Sequence, residues 1–288
     1  MRKAAAGFIS LALAVCLIGN ASACSLFYFG GEYTDDGANL FMRGEDQDGA
    51  DENKLYLITP AGRYRAGEQY TGCFGFTWTF THDNYRYISR RDDNLQGVCP
   101  NCGGNHDHQP FEDAGTNEYG VTVTATQGLS PNEDILAADP FVHTGIHEAD
   151  MATILLSEAA TAREGVEMLK GIVENDGVWE EGFGIMICDQ TEQWYAEVCT
   201  GHEFLAVLLP PTVAFFEANV SVLDFLELDD KEHIIASDDL ISRAQQAGTF
   251  VGDAEKNIID YRLSYNDYHA GAFGMLWSWN VAARIALP

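Results

Sequence analysis

Cys24-Ser25-Leu26-Phe27-Tyr28-Phe29-Gly30 is followed, after a turn-rich gap, by Asn39-Leu40-Phe41-Met42-Arg43-Gly44-Glu45-Asp46. The first run is rich in aromatics and stops at glycine, the composition of a strand with a cysteine at its tip. Glu32 to Gly37 is turn-like, and the second run reads as a partner strand. Antiparallel pairing would carry Arg43 and Asp46 back beside Cys24. A thiol becomes a useful nucleophile only with a base nearby or a lowered pKa. A guanidinium at that distance stabilises a thiolate, and a carboxylate can hold an ammonium by charge-assisted hydrogen bonds. A solvated turn with an ordinary ion pair would carry the same residues.

Upstream, Met1-Arg2-Lys3 precedes an apolar stretch from Ala4 to Gly19, broken by Ser10, and Ala21-Ser22-Ala23 then leads into Cys24. A basic start, a short apolar core and a small-x-small end predict a signal peptide over residues 1–23. Cleavage there would make Cys24 the first residue of the mature chain. Its α-amine, with an unperturbed pKa of about 8, could then take the thiol proton. The competing expectation is a lipoprotein signal, in which Cys24 is lipidated and its amine blocked; Ala21 stands where that signal favours an aliphatic residue. No later segment approaches the ~20 apolar residues that a spanning helix needs. The expectation is therefore a secreted or cell-surface protein with no stable membrane insertion after cleavage.

The chain has 288 residues, of which 46% are hydrophobic, enough for one large core over residues 24–288. Its formal charge of −28 disfavours nucleic acid and anionic lipid as partners. Strand signals recur at Lys54 to Thr59, Phe74 to Phe80, Gly120 to Thr126, Gly182 to Cys188, Gln193 to Val198, Phe204 to Leu209 and Val213 to Ala218. Helical spacing marks Asp150 to Glu158 and Thr161 to Glu174, and more weakly Asp238 to Ala247. Strands in series with helices set between them predict an α+β sandwich, not a doubly wound parallel sheet.

Residues 90–113 are polar and read as a long inserted loop. That loop holds Cys99, Cys102, His106 and His108, which zinc would accept, although structural zinc sites usually take their pairs from separated segments. A disulfide or thiols in a surface loop is the alternative. Setting aside Cys16 and Cys24 leaves an odd number of cysteines, with Cys99–Cys102 and Cys188–Cys199 as candidate pairs.

Further along the chain stand Asn117-Glu118-Tyr119-Gly120-Val121, Thr122-Val123-Thr124-Ala125-Thr126, the run Leu136 to Val142, Ala162 to Val166, Trp194-Tyr195-x-Glu197-x-x-x-Gly201-His202 and Ala218-Asn219. With Cys24 and Arg43-x-x-Asp46, this ordered set resembles the cysteine dipeptidases of the N-terminal-nucleophile (Ntn) hydrolases, which are relatives of penicillin V acylase and bile salt hydrolase. The resemblance implies a four-layer αββα sandwich of two antiparallel sheets. It implies Cys24 as nucleophile, its α-amine as general base, Arg43 and Asp46 as active-site partners, and Asn117 and Asn219 as oxyanion donors. Arg262 would match a further arginine of some relatives. No cofactor is implied; the substrates would be dipeptides or short peptides, and homo-oligomerisation stays open. Such dipeptidases usually run past the point where this sequence stops, which leaves a short variant, a fragment or a frameshifted product as alternatives, with a C-terminally truncated sandwich among the expectations. Two alternatives stand beside this: a hydrolase of another linear amide (an acyl-amino acid, a bile-salt conjugate or penicillin V), and an inactive lipid-anchored binding protein.

Overall fold

The computed structural model describes residues 24–45, 54–92, 112–179 and 181–267. In chain order the first strands are β1 (Ser25–Phe29), β2 (Leu40–Gly44), β3 (Lys54–Thr59), β4 (Gln69–Thr71), β5 (Thr77–Thr79), β6 (Tyr87–Asp92), β7 (Glu112–Asn117) and β8 (Thr122–Leu129). After helices α1 (Glu133–Ala138), α2 (Glu148–Glu158) and α3 (Ala162–Asp176) come β9 (Gly182–Cys188), β10 (Gln193–Val198), β11 (Phe204–Leu208), β12 (Ala214–Glu217), β13 (Phe225–Glu227) and β14 (Ile234–Ala236). The last elements are α4 (Leu240–Ala247), β15 (Gly252–Asp253), β16 (Ile258–Asp260) and α5 (Tyr261–Tyr265).

Two antiparallel sheets face each other: a three-stranded one in the order β12-β1-β2, and an eight-stranded one in the order β14-β11-β10-β9-β8-β7-β6-β3. The fold is thus α+β with antiparallel sheets, as expected. β9 and β10 are buried along their whole length, because both of their faces are covered. Phe183, Ile185, Ile187, Trp194, Ala196 and Val198 point to one face and meet Leu155, Val166 and Leu169 of α2 and α3. The alternate residues Met186, Cys188 and Tyr195 point to the other face and meet Leu26, Tyr28 and Phe215 of the small sheet. Among the described residues the layering is therefore helix, sheet, sheet. No helix among them packs extensively on the outer face of the three-stranded sheet.

Helices α1, α2, α3 and α5 begin where side chains satisfy their first amides. α2 opens with a capping box between His147 and Asp150, and Thr161 caps α3 through the Glu164 amide. The apolar stripe read from the sequence is core, with Val166, Leu169 and Ile172 of α3 buried against the sheet.

Three expectations are corrected. The strand at Phe74 to Phe80 shrinks to Thr77–Thr79. The polar segment 90–113 is not loop at its ends, since β6 reaches Asp92 and β7 starts at Glu112, while residues 93–111 lie outside the described residues. Polar residues can form these strands because they are paired. Glu112, fully buried, accepts from Tyr87 Oη at 3.1 Å, Ser89 Oγ at 2.9 Å and Thr153 Oγ1 at 2.7 Å. Lastly, Cys188 and Cys199 are both thiols. Cys188 lies opposite Gln193 in the β9–β10 ladder, so Cys199 sits six residues further along, about 20 Å away, too far for a bridge.

Candidate active site

The strand register assembles the site. Leu26 lies opposite Arg43 of β2 on one side and Glu217 of β12 on the other. Cys24 immediately precedes β1, Glu45 immediately follows β2, and Asn219 lies two residues past the end of β12. Opposed residues share a face of the sheet, and so do alternate ones. Contacts to the large sheet show that Arg43, Glu45, Glu217 and Asn219 turn toward it, through Asp113, Arg90, Thr126 and Gln127 respectively.

Arg43 is the hub. Its Nη2 lies 3.5 Å from Cys24 Sγ and donates to Glu148 Oε1 at 2.9 Å. Its Nη1 is 3.1 Å from both Glu45 Oε2 and Asp113 Oδ2. Lys54 Nζ and Arg90 Nη2 reach the same Asp113 oxygen at 3.0 and 2.9 Å, and both also contact Glu45. Burial alone would lower the pKa of the guanidinium, but Glu148, Asp113, Cys24 and Glu45 together raise it. Burial likewise opposes ionisation of Asp113, yet the Arg90 hydrogen bond and the charges of Arg43 and Lys54 hold it at about 2. Glu148, the first residue of α2, is pushed up to about 8 by burial, against the pull of Arg43.

Asn219 completes the group from β12. Its backbone is left-handed, with φ 55°, and a β-bulge in β8 accommodates it. Gly128 within that bulge has φ 108°, and a Cβ there would stand 3.1 Å from the Asn219 side chain. Asn219 Nδ2 donates to the Gln127 carbonyl, and its buried Oδ1 has no partner among the described residues. The Gln127 side chain meets His147 Nε2 at 3.0 Å. His147 Nδ1 accepts from the Ala149 amide at 3.1 Å, and burial pushes this imidazole down to about 3.

The other expected site residues fall elsewhere. Asn117 sits at the far end of β7 from Asp113, about 13 Å along the strand. Its Nδ2 donates to the Leu156 carbonyl at 3.1 Å and the Ala159 carbonyl at 2.7 Å, while its Oδ1 accepts from the Tyr119 and Val121 amides at 3.1 Å each. Both amide hydrogens are thus engaged in holding a turn against the end of α2, and the structure does not bring this residue to Cys24. Arg262 bonds Asp224 Oδ1 at 3.4 Å. Asp46, Cys99, Cys102, His106 and His108 lie outside the described residues, and no cluster that could hold a metal ion occurs among the described ones. Asp113, Glu148, Lys54, Arg90 and Gln127, which sequence reading did not single out, belong to the site. Only the cap preceding Glu148 left a local signal. Beside Arg43 opens a cavity of about 280 Å³ whose lining includes Phe41, Tyr56, Ile88, Arg90 and Thr116.

The model of peptidase family C69 matches residues 23–281. The chain belongs to peptidase family C69. This C69 chain is 32% identical over 250 residues to "Probable dipeptidase B" of Streptococcus pyogenes serotype M3, which covers 86% of this chain and 48% of that protein. It is 32% identical over 263 residues to "Probable dipeptidase" of Salmonella dublin, which covers 89% of this chain and 56% of that protein. The C69 chain thus spans about half the length of the curated relatives it matches. Among solved structures, a variant of conjugated bile acid hydrolase from Clostridium perfringens is 13% identical with a TM-score of 0.34, covering 80% of this chain and 59% of that one.

Proposed function

We propose that this C69 chain is an exported cysteine-type dipeptidase whose nucleophile is Cys24, freed as the N-terminal residue by removal of residues 1–23. The observation that carries the reading is the 3.5 Å approach of Arg43 Nη2 to Cys24 Sγ, with Asn219 two residues past the end of β12, the other strand paired with β1. In this scheme the α-amine takes the thiol proton, and Arg43 holds the thiolate. Sulfur attacks the scissile carbonyl carbon, and the electron pair moves onto oxygen. One Asn219 amide hydrogen serves Gln127, which leaves the second for that oxyanion. The C–N bond then breaks, the α-ammonium gives its proton to the leaving amine, and water hydrolyses the thioester. The unpartnered, buried Asn219 Oδ1 fits the scheme, since an ammonium on Cys24 would supply the donor it lacks.

The test is hydrolysis of a dipeptide panel by protein whose first residue is established by mass spectrometry. It is run beside Cys24→Ala and a variant with one extra residue before Cys24. Loss of at least a hundredfold in both variants is the expected result. An active extended variant would remove the α-amine from the mechanism. A diacylglyceryl group on Cys24 would remove the scheme altogether and favour an anchored protein. A panel extended to acyl-amino acids, bile-salt conjugates and penicillin V separates the dipeptidase from other amide hydrolases of the same chemistry.

A further inference from the structure

One nitrogen of Arg43 faces two acidic groups. Nη2 carries two hydrogens; one points to Glu148 Oε1 at 2.9 Å and the other side of the nitrogen meets Cys24 Sγ at 3.5 Å. Neither of the other guanidinium nitrogens bonds Glu148 among the described residues: Nη1 meets Glu45 and Asp113, and Nε is buried with no partner there. Glu148 has no solvent to turn to, being only 3% exposed. It is also fixed at its root, as the first residue of α2 behind the His147–Asp150 capping box. The charged groups that face it are Arg43 and Glu45 from β2 and its following residue, Asp113 from β7 and Lys54 from β3, with Arg90 of β6 bound to the same Asp113.

Building on the proposed role of Cys24, we propose that Glu148 is a positioning residue. It pins the guanidinium between helix and thiol, and its carboxyl competes with the Cys24 thiol for the charge on Nη2. Two acids that lean on one cation titrate as a coupled pair, in two macroscopic steps, and not as independent groups. Ionising Glu148 then raises the cost of forming the thiolate, and forming the thiolate favours protonated Glu148. Burial already disfavours ionised Glu148, against the pull of Arg43.

The experiment is the pH dependence of Cys24 alkylation by iodoacetamide on the full chain, read at that residue by peptide mass spectrometry so that the other cysteines do not contribute. The parent is expected to give a rise spread over two steps. Glu148→Gln keeps an acceptor for Nη2 but carries no charge; it is expected to give a single step, with a midpoint lower by about 1 pH unit. A pure scaffolding role would leave the profile of the folded Gln variant unchanged, and that result overturns the proposal. A parent profile that fits one independent group overturns it too, with no variant needed should Glu148→Gln fail to fold. Alkylation needs no turnover. A coupled profile in a parent that hydrolyses nothing would therefore sink the dipeptidase reading and leave this inference standing.

Discussion

Asn117 and Asn219 carry the same amide, and their surroundings decide what each can do. Asn117 spends both amide hydrogens on backbone carbonyls that tie the turn to α2, so Asn117→Ala leaves two buried acceptors unpaired. A loss of about 1–3 kcal/mol in urea unfolding is expected, with kcat of the folded fraction unchanged. Asn219→Ala should do the reverse, lowering kcat about a hundredfold while costing little stability. Equal kcat losses in the two variants would contradict this division. Cys24 and Arg43 could be placed together from the sequence because a hairpin is local, whereas Asn219 entered only through the family resemblance. The sequence could not separate the two asparagines, since nothing in Asn-Glu-Tyr-Gly tells whether the side chain caps its own turn. Glu148 was hidden for another reason: it reaches Arg43 from 105 residues away, and its own neighbourhood shows only a helix start.

At the scale of elements, α2 links the cap to the site. His147 begins the helix, and its ring also packs against Phe74 and Trp179, with centroids 4.3 and 5.0 Å away. His147→Ala removes the cap and part of that packing, for an expected loss of about 1–2 kcal/mol in chemical denaturation. His147→Asn can cap again and should recover part of it; an Asn variant no better than Ala would show that packing alone matters. Helices α2 and α3 and strands β9 and β10 could be read from the sequence because their apolar residues follow the helical or strand period. Strands β6 and β7 could not. Their inward positions hold Ser89, Glu112 and Asp113, which are buried at 1%, 2% and 1% exposure by pairing, a relation that composition does not display. The same polarity made residues 90–113 look like one continuous loop.

The whole molecule stores protons between its layers. Burial pushes Glu217 to about 8 and Glu197 to about 7, against an ordinary carboxyl value of 4.5. Groups raised in this way add stability that is complete below about 4.5 and is lost as pH climbs through 7 to 8. His147, lowered to about 3 from an ordinary 6.5, adds stability that is present above 6.5 and lost as pH falls toward 3. Thermal unfolding followed from pH 4 to 9 should therefore peak in the weakly acidic range and fall by several degrees at pH 8. Glu217→Gln should flatten the alkaline side; a melting temperature that rises steadily to pH 8 would show that these carboxyls are ionised in the fold. The layering itself was only partly legible. Period-two strands announced sheets, but which faces were covered depended on how strands far apart in the chain paired.

β1 is bonded on both sides, whereas β2, among the described residues, is bonded on one. Among the described residues the thiol therefore precedes the central strand of its sheet and the guanidinium stands on an outer one. Fraying of a few edge residues would part the two while the sandwich stays intact. Local opening at β2 would therefore interrupt the Arg43–Cys24 contact at a lower free-energy cost than unfolding the protein.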